Sequence, residues 1–352
     1  MTTLGIIWFC LIFVLIAGYF ILDGFDLGAG ILYPFVAKTD EEQAIVRQSI
    51  GPVWDGNEVW LLTAGGALFA AFAPAYATTF SGFYMAIMLV LLGLIVRAVS
   101  LEFAAHDPQW RKVWNICFII GSFLPALLLG VAVGNVYAGI PMDVNGDYAG
   151  VPLLGLVTPF TLLTGLLGLA MFLSQGATWI ALKAPKPSDV QARASKLRLP
   201  LQIFALVMFA IVSVYGHVFF GTENMAPELG ILRYVFALLV LGCIIASMVM
   251  GKTKECDVAP FVLQSAAAFA LVGLWAASMF PNLVPATAGD PLSFFPTAAS
   301  GVSITIASAA SSDLALAWML GITAIGLPLV LVYHFISYRT FRGRVRVEDL
   351  HY

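Results

Sequence analysis

The chain has 352 residues, of which 61% are hydrophobic and 11% are Asp, Glu, Lys or Arg, and its mean hydropathy is +0.94. A soluble domain needs a polar surface that this composition does not supply, so 1–352 reads as a single polytopic membrane domain. The net charge of −3 resides almost wholly in loops and offers no basic face, which excludes a nucleic-acid partner and leaves membrane lipid as the surroundings.

Apolar windows of about 20 residues, enough to cross about 30 Å of hydrocarbon, fall at 5–36, 50–73, 76–101, 112–138, 153–182, 199–220, 230–250, 259–280 and 312–338. They predict an all-α integral membrane protein with nine transmembrane helices. The first window lacks the basic start of a secretory signal and runs past Asp23 without a cleavage site, so it is read as a membrane helix. At 1.5 Å per residue it would extend to about 48 Å, so it must tilt, break near Gly24 to Gly30, or project from the membrane.

Short cytoplasmic loops retain Lys and Arg, and the gaps separate cleanly. Lys38 and Arg47 follow the first window; Arg97, Arg111 and Lys112 flank the turn after the third; Lys183, Lys186, Arg193, Lys196 and Arg198 follow the fifth. Lys252 and Lys254 follow the seventh, and Arg339, Arg342, Arg344 and Arg346 follow the ninth, leaving Arg233 alone on the other side. The N-terminus is therefore expected outside and the C-terminus in the cytoplasm. The opposite gaps hold an Ala73-Pro74-Ala75 turn, Asp143 and Asp147, Glu223 and Glu228, and a Pro281-to-Ser312 connection read as an extended surface loop. Cys10, Cys117, Cys243 and Cys256 show no metal or cluster spacing and are read as reduced, mostly buried residues.

Two acidic clusters interrupt the first two windows: Asp23-Gly24-Phe25-Asp26 and Trp54-Asp55-Gly56-Asn57-Glu58. A carboxylate in hydrocarbon costs several kcal/mol unless paired or hydrated, so Asp23, Asp26, Asp55 and Glu58 are candidates for a proton pathway. Asp23 with Asp26, and Asp55 with Glu58, are spaced i to i+3 and share a helix face. Both clusters belong to the cytoplasmic leaflet, and a short connection makes the two helices neighbours around a polar cleft. The bland reading stands beside this one: acids near helix ends cap backbone N–H groups, and Gly24, Gly28 and Gly30 serve close packing. Trp54 and Trp60 then act as interface anchors and Asn57 and Gln175 as interhelical hydrogen-bond partners.

Histidine supplies a negative. A haem held between spans usually takes an axial His, Met or Cys, whereas His106 lies in a loop, His351 in the tail, and His217 and His334 near helix ends. The eleven methionines are scattered and assigned to packing. The chain therefore reads as haem-free, with no metal site of its own.

Leu22-Asp23-Gly24-Phe25-Asp26-Leu27-Gly28-Ala29-Gly30, and the block from Gly51-Pro52-Val53-Trp54-Asp55-Gly56-Asn57-Glu58-Val59-Trp60 through Thr63-Ala64-Gly65-Gly66-Ala67-Leu68-Phe69-Ala70, closely resemble subunit II of the cytochrome bd quinol oxidases. Phe80-Ser81-Gly82-Phe83-Tyr84, Ile120-Gly121-Ser122-Phe123-Leu124-Pro125 and Gln175-Gly176-Ala177-Thr178 resemble later landmarks of that family, over essentially the whole chain. The resemblance implies two four-helix bundles plus a peripheral ninth helix, in a bacterial or archaeal cytoplasmic membrane. It also implies a haem-bearing partner, subunit I, with two hemes b and one heme d, oxidising quinol and reducing dioxygen to water without a proton pump. Asp55 carries over as the acid facing subunit I, with Trp54 and Asn57 as its supports; Asp23 and Asp26 carry over less directly, and Glu58 occupies a position that is not always acidic. A structural quinone and a small single-span accessory subunit are left open. The rival reading from the residues alone is a proton-coupled secondary transporter.

Overall fold

The computed structural model describes residues 1–220, 226–252, 257–295, 301–346 and 348; Glu223, Lys254, Cys256 and His351 lie outside the described residues. Thr2 caps α1 (Thr3–Val36), its hydroxyl accepting from Gly5 N. This helix is continuous for 34 residues through the Gly24–Gly30 stretch and ends at Val36, just after Pro34, so of the three expected accommodations the break is excluded. Thr39 and Glu42 then form a reciprocal capping box that starts α2 (Asp40–Ile50).

After α3 (Trp54–Ala71), Phe72 leaves helical geometry at φ −140° and ψ 60°, and Pro74, which has no N–H to donate, sits in the first turn of α4 (Ala73–Gly82). The 76–101 window is thus divided between α4 and α5 (Tyr84–His106). The chain continues through α6 (Arg111–Ala138), α7 (Pro159–Lys183) and α8 (Asp189–Phe220), which starts at Asp189 rather than 199. Then come α9 (Gly230–Met250) and α10 (Val258–Met279). The Pro281-to-Ser312 connection is not simply an extended loop. Its β1 (Asn282–Val284) and β2 (Ile304–Thr305) pair antiparallel and lead into α11 (Ile306–Ala309). Val284, Ile304 and Ile306 pack with Trp8, Phe9 and Phe72, because apolar β-branched residues here cover helix ends that would otherwise meet water. Last is α12 (Asp313–Thr340).

Among the described residues eight helices are long and apolar enough to cross a membrane: α1, α5 to α10 and α12. The 18-residue α3 falls short in apolarity because Asp55, Asn57 and Glu58 occupy its first two turns. Helix α1 is central, packing against α3, α6, α7 and α10. At α7 the two backbones touch: a Cβ on Gly28 would lie 1.9 Å from the Phe172 carbonyl oxygen, and one on Gly176 2.4 Å from the Gly28 carbonyl carbon. Hydrocarbon does not drive helices together as water does, so such small-residue contacts supply the packing.

The end carrying the basic loops is locked by ion pairs. Arg193 of α8 forks onto Glu42 at 2.7 and 3.0 Å and also donates to Val36 O at 2.5 Å. Asp257 receives Arg344 at 2.7 Å, Arg198 at 2.9 Å and Lys186 at 3.6 Å. Past α12 the tail folds back: Lys183 Nζ donates to Phe341 O and, at 2.8 Å, to Gly343 O, and Val345 N donates to Lys183 O at 2.8 Å. Arg344 donates to Ala181 O and Ala184 O at 3.0 and 2.6 Å. This clamp holds a helix whose buried residues are only Leu316 and His334.

Gly28→Ala is expected to destabilise the protein by ~1–3 kcal/mol or prevent its accumulation, since backbone rather than a flexible side chain opposes the methyl; thermal unfolding in detergent measures it. The Arg193 hydrogen bonds, opposed by partial burial and helped by the Lys38 and Thr39 amides, hold the Glu42 carboxyl down at about 2 against an ordinary 4.5. A depressed folded value means the contact contributes fully above about pH 4.5 and is lost as pH falls toward 2. The stability gap between the wild type and Glu42→Gln should therefore be open near neutral pH and close across that window.

Candidate functional site

Helix α1 presents Tyr19, Asp23 and Asp26 on one face, all buried, because residues three and four apart stack along a helix. Opposite them, α3 brings Asn57 and Glu58, and α5 brings Arg97. The guanidinium is fully buried: its Nη2 lies 2.6 Å from Asp23 Oδ1 and 2.5 Å from Glu58 Oε1, with the Asp23 side chain at 0% exposure and Glu58 at 22%. Asn57 Nδ2 donates to Asp26 Oδ2 at 2.7 Å and to Leu22 O at 3.0 Å. Its Oδ1 accepts from the Tyr338 hydroxyl at 3.0 Å. Asp23 Oδ2, Asp26 Oδ1, and Arg97 Nε and Nη1 are buried without a hydrogen bond to protein, the kind of group that ordered water satisfies in protein interiors.

Placing Arg97 here corrects the expectation that it flanks the cytoplasmic turn after the third window. It lay near the edge of its apolar window, but α5 runs on to His106, which draws it into the bundle. The missed signal was the unbroken apolar flank on both sides, Leu94-Ile95-Val96 and Ala98-Val99: an arginine so flanked needs a counter-charge in the membrane, and the acids of α1 and α3 were already in view.

Four of the six residues singled out from the sequence converge: Asp23, Asp26, Asn57 and Glu58. Asp55 instead lies on the exposed face of α3, in line with Val59, Leu62 and Phe69 at 43%, 70% and 60% exposure. Asn57 consequently supports Asp26 and not Asp55. Trp54 is half-buried against the apolar cluster of Val36, Ile50 and Trp179. Gln175 is buried, yet its amide forms no hydrogen bond to protein and rests against Gly24.

His334 is not a solvated helix-end residue. It is buried, its Nε2 accepts from Trp60 Nε1 at 3.2 Å and its Nδ1 lies 2.9 Å from Val330 O, which assigns the proton to Nδ1. Both ring nitrogens are thus engaged within the chain. His217 is exposed near the end of α8, and among the described residues no group of three or more His, Cys, Asp or Glu is arranged to hold a metal.

A shared buried guanidinium with three acids on two neighbouring helices, and a fourth acid on the exposed face of α3, lie inside an otherwise apolar protein. Comparison with known proteins identifies its setting. The family model described as cytochrome bd terminal oxidase subunit II matches residues 4–341. The cytochrome bd-I ubiquinol oxidase subunit 2 of Escherichia coli K12 is 33% identical over 379 residues, covering 99% of this chain and 96% of that protein. The cytochrome bd ubiquinol oxidase subunit 2 of Bacillus subtilis is 31% identical over 361 residues, with 99% of each covered. In fold, the chain is similar to a chain of the bd oxidase from Geobacillus thermodenitrificans, with a TM-score of 0.77 and 15% identity over 97% of this chain and 99% of that one. These matches lend the transporter alternative no support. The chain belongs to the cytochrome bd terminal oxidase subunit II family and is a multi-pass membrane subunit of an oxidoreductase that works with a subunit I.

Proposed function

We propose that this chain is the haem-free subunit of a quinol oxidase in the cytoplasmic membrane, and that its acid cluster carries protons from the cytoplasm toward subunit I. The observation that carries the reading is the Arg97 guanidinium shared by Asp23 and Glu58. One fixed positive charge faces three carboxyls, those of Asp23, Glu58 and Asp26, so the cluster is electroneutral only with two protons bound. A low-dielectric interior penalises any other count, and a group of acids that must hold protons and can exchange them is a relay. Glu58, half-buried, joins this store to Asp55 on the uncovered face of α3, the surface proposed for subunit I.

The topology on which this depends has its own support. With Arg97 inside the bundle, every other basic residue except Arg233 still falls in gaps expected at one end. The Arg111–Asp40 pair at 2.7 Å sets the start of α6 beside α2. Ser311 N donating to Ala71 O at 2.9 Å ties the end of α3 to the region before α12. A chain that must return between these points needs α3 as a crossing, which yields nine spans with the N-terminus outside and the C-terminus in the cytoplasm. The exposure of α12 favours its role as the peripheral ninth around two four-helix bundles.

Haems in such a complex supply electron transfer and dioxygen reduction. We assign all three, two hemes b and one heme d, to subunit I, because His334 spends both ring nitrogens on Trp60 and Val330. The substrates proposed for the whole complex are quinol and dioxygen, following the ubiquinol oxidase names of the relatives.

Asp55→Asn, which leaves the buried cluster intact, should assemble with subunit I and lower quinol-dependent oxygen uptake about a hundred- to ten-thousandfold, the range associated with losing a positioned proton-transfer group; normal turnover in an intact complex would exclude it from the path. Arg97→Gln removes the cluster's one counter-charge and leaves its ionised carboxylate uncompensated, at a cost of roughly 3–5 kcal/mol. It should abolish recovery of the assembled complex, read as co-purification of subunit I.

A further inference from the structure

We infer that Tyr338 of α12 is a positioning residue of the acid cluster, fixing the amide of Asn57 and through it the carboxyl of Asp26. The inference rests on the proton-delivery reading for its consequence, and on geometry alone for the residue.

The Asn57 amide is held by three hydrogen bonds with one consistent polarity. Tyr338 donates to Oδ1 at 3.0 Å, while Nδ2 donates to Asp26 Oδ2 at 2.7 Å and to Leu22 O at 3.0 Å. Rotating the amide by half a turn would face its oxygen with a carboxylate and a carbonyl, two repulsive contacts, and leave the phenol opposite an NH₂ group. The hydroxyl therefore reinforces the orientation that the Leu22 carbonyl and the Asp26 carboxyl already favour, and fixes the oxygen end of the amide that hands Asp26 its N–H. With Oδ2 held, Asp26 Oδ1, which has no protein partner, is the oxygen left to exchange a proton.

Anchoring α12 is the simpler account of the same bond, but that task is met elsewhere. The tail clamp of Lys183, Arg344 and Val345 and the Trp60–His334 hydrogen bond already hold the helix. Tyr338 sends its one donor to an amide at 0% exposure. The titratable and charged groups around it are Tyr19, Asp23 and Asp26 on α1, Asp55 and Glu58 on α3, Arg97 on α5, and Tyr333 and His334 on α12.

The test uses the complex with its partner subunit in nanodiscs and two readouts: redox-induced infrared difference spectra in the carboxylic-acid carbonyl region, and the pH profile of quinol-dependent oxygen uptake. Asp26→Asn identifies the Asp26 band. Tyr338→Phe is expected to assemble, displace that band, and move the pH profile by about one unit, the scale of one hydrogen bond to a carboxylate. Trp60→Phe, which loosens α12 without touching Asn57, should leave the band in place. An assembled Tyr338→Phe complex with band and profile unmoved overturns the proposal, as does an equal displacement by Trp60→Phe. Where Phe is not tolerated, Tyr338→3-fluorotyrosine keeps the ring and alters the hydroxyl; displacement of the band supports the proposal and an unmoved band overturns it. Wild-type turnover in Asp26→Asn would overturn the delivery reading, while the band's response to position 338 still judges the positioning role.

Discussion

An arginine taken wholly out of solvent has to be surrounded by acceptors, and Arg97 imposes that demand on three helices at once. Asp23 and Glu58 reach the same nitrogen only if α1, α3 and α5 share a depth at that point, so the ion triad sets their mutual register. Helix α6 is pressed against the same level: a Cβ on Gly121 would lie 2.7 Å from Arg97 N. The close α1–α7 contact at Gly28 and Gly176 then carries the registration across to the second half of the chain. Continuum reasoning warns that a buried ion pair is weak evidence for stability. Its value here is specificity, since any slip of one helix along another strands a charge in hydrocarbon.

How much of this could be read from the sequence depended on whether a residue's meaning was local. The apolar windows announced most of the membrane helices, because span length and hydropathy are properties of a segment by itself. Asp23, Asp26 and Glu58 were visible for the same reason: each is an acid where acids are costly. Arg97 was misplaced because a charge near a window edge has two readings, and only the extension of α5 to His106 decides between them. Asn57 was legible as an interhelical hydrogen-bond partner but its particular partners were not, and the roles of His334 and Tyr338 could not be read at all. A hydrogen bond spanning 281 positions, as between Tyr338 and Asn57, leaves no trace in the spacing of either segment. The β1–β2 pairing failed for a related reason: its two short pieces look like loop until they meet.

The division of labour on α3 follows from its helical geometry. Asn57 and Glu58 turn toward α1 and α5, while Asp55, two and three residues away, turns outward with Val59, Leu62 and Phe69. A helix 18 residues long therefore belongs to two environments, one completed within the chain and one left for another surface. The polar first turns that make α3 less apolar than the other long helices carry both the inward-facing and the outward-facing groups.

The separation of the triad along the chain also has a consequence for biosynthesis. Arg97 follows Asp23 by 74 positions and Glu58 by 39. At a synthesis rate of ~5–20 residues per second, the acids of the first helix wait roughly 4–15 s for their counter-charge to be translated. During that interval α1 and α3 present carboxyls that the finished fold neutralises and the nascent chain does not. Until α5 arrives, either protons occupy these acids or the insertion machinery shelters the helices that carry them.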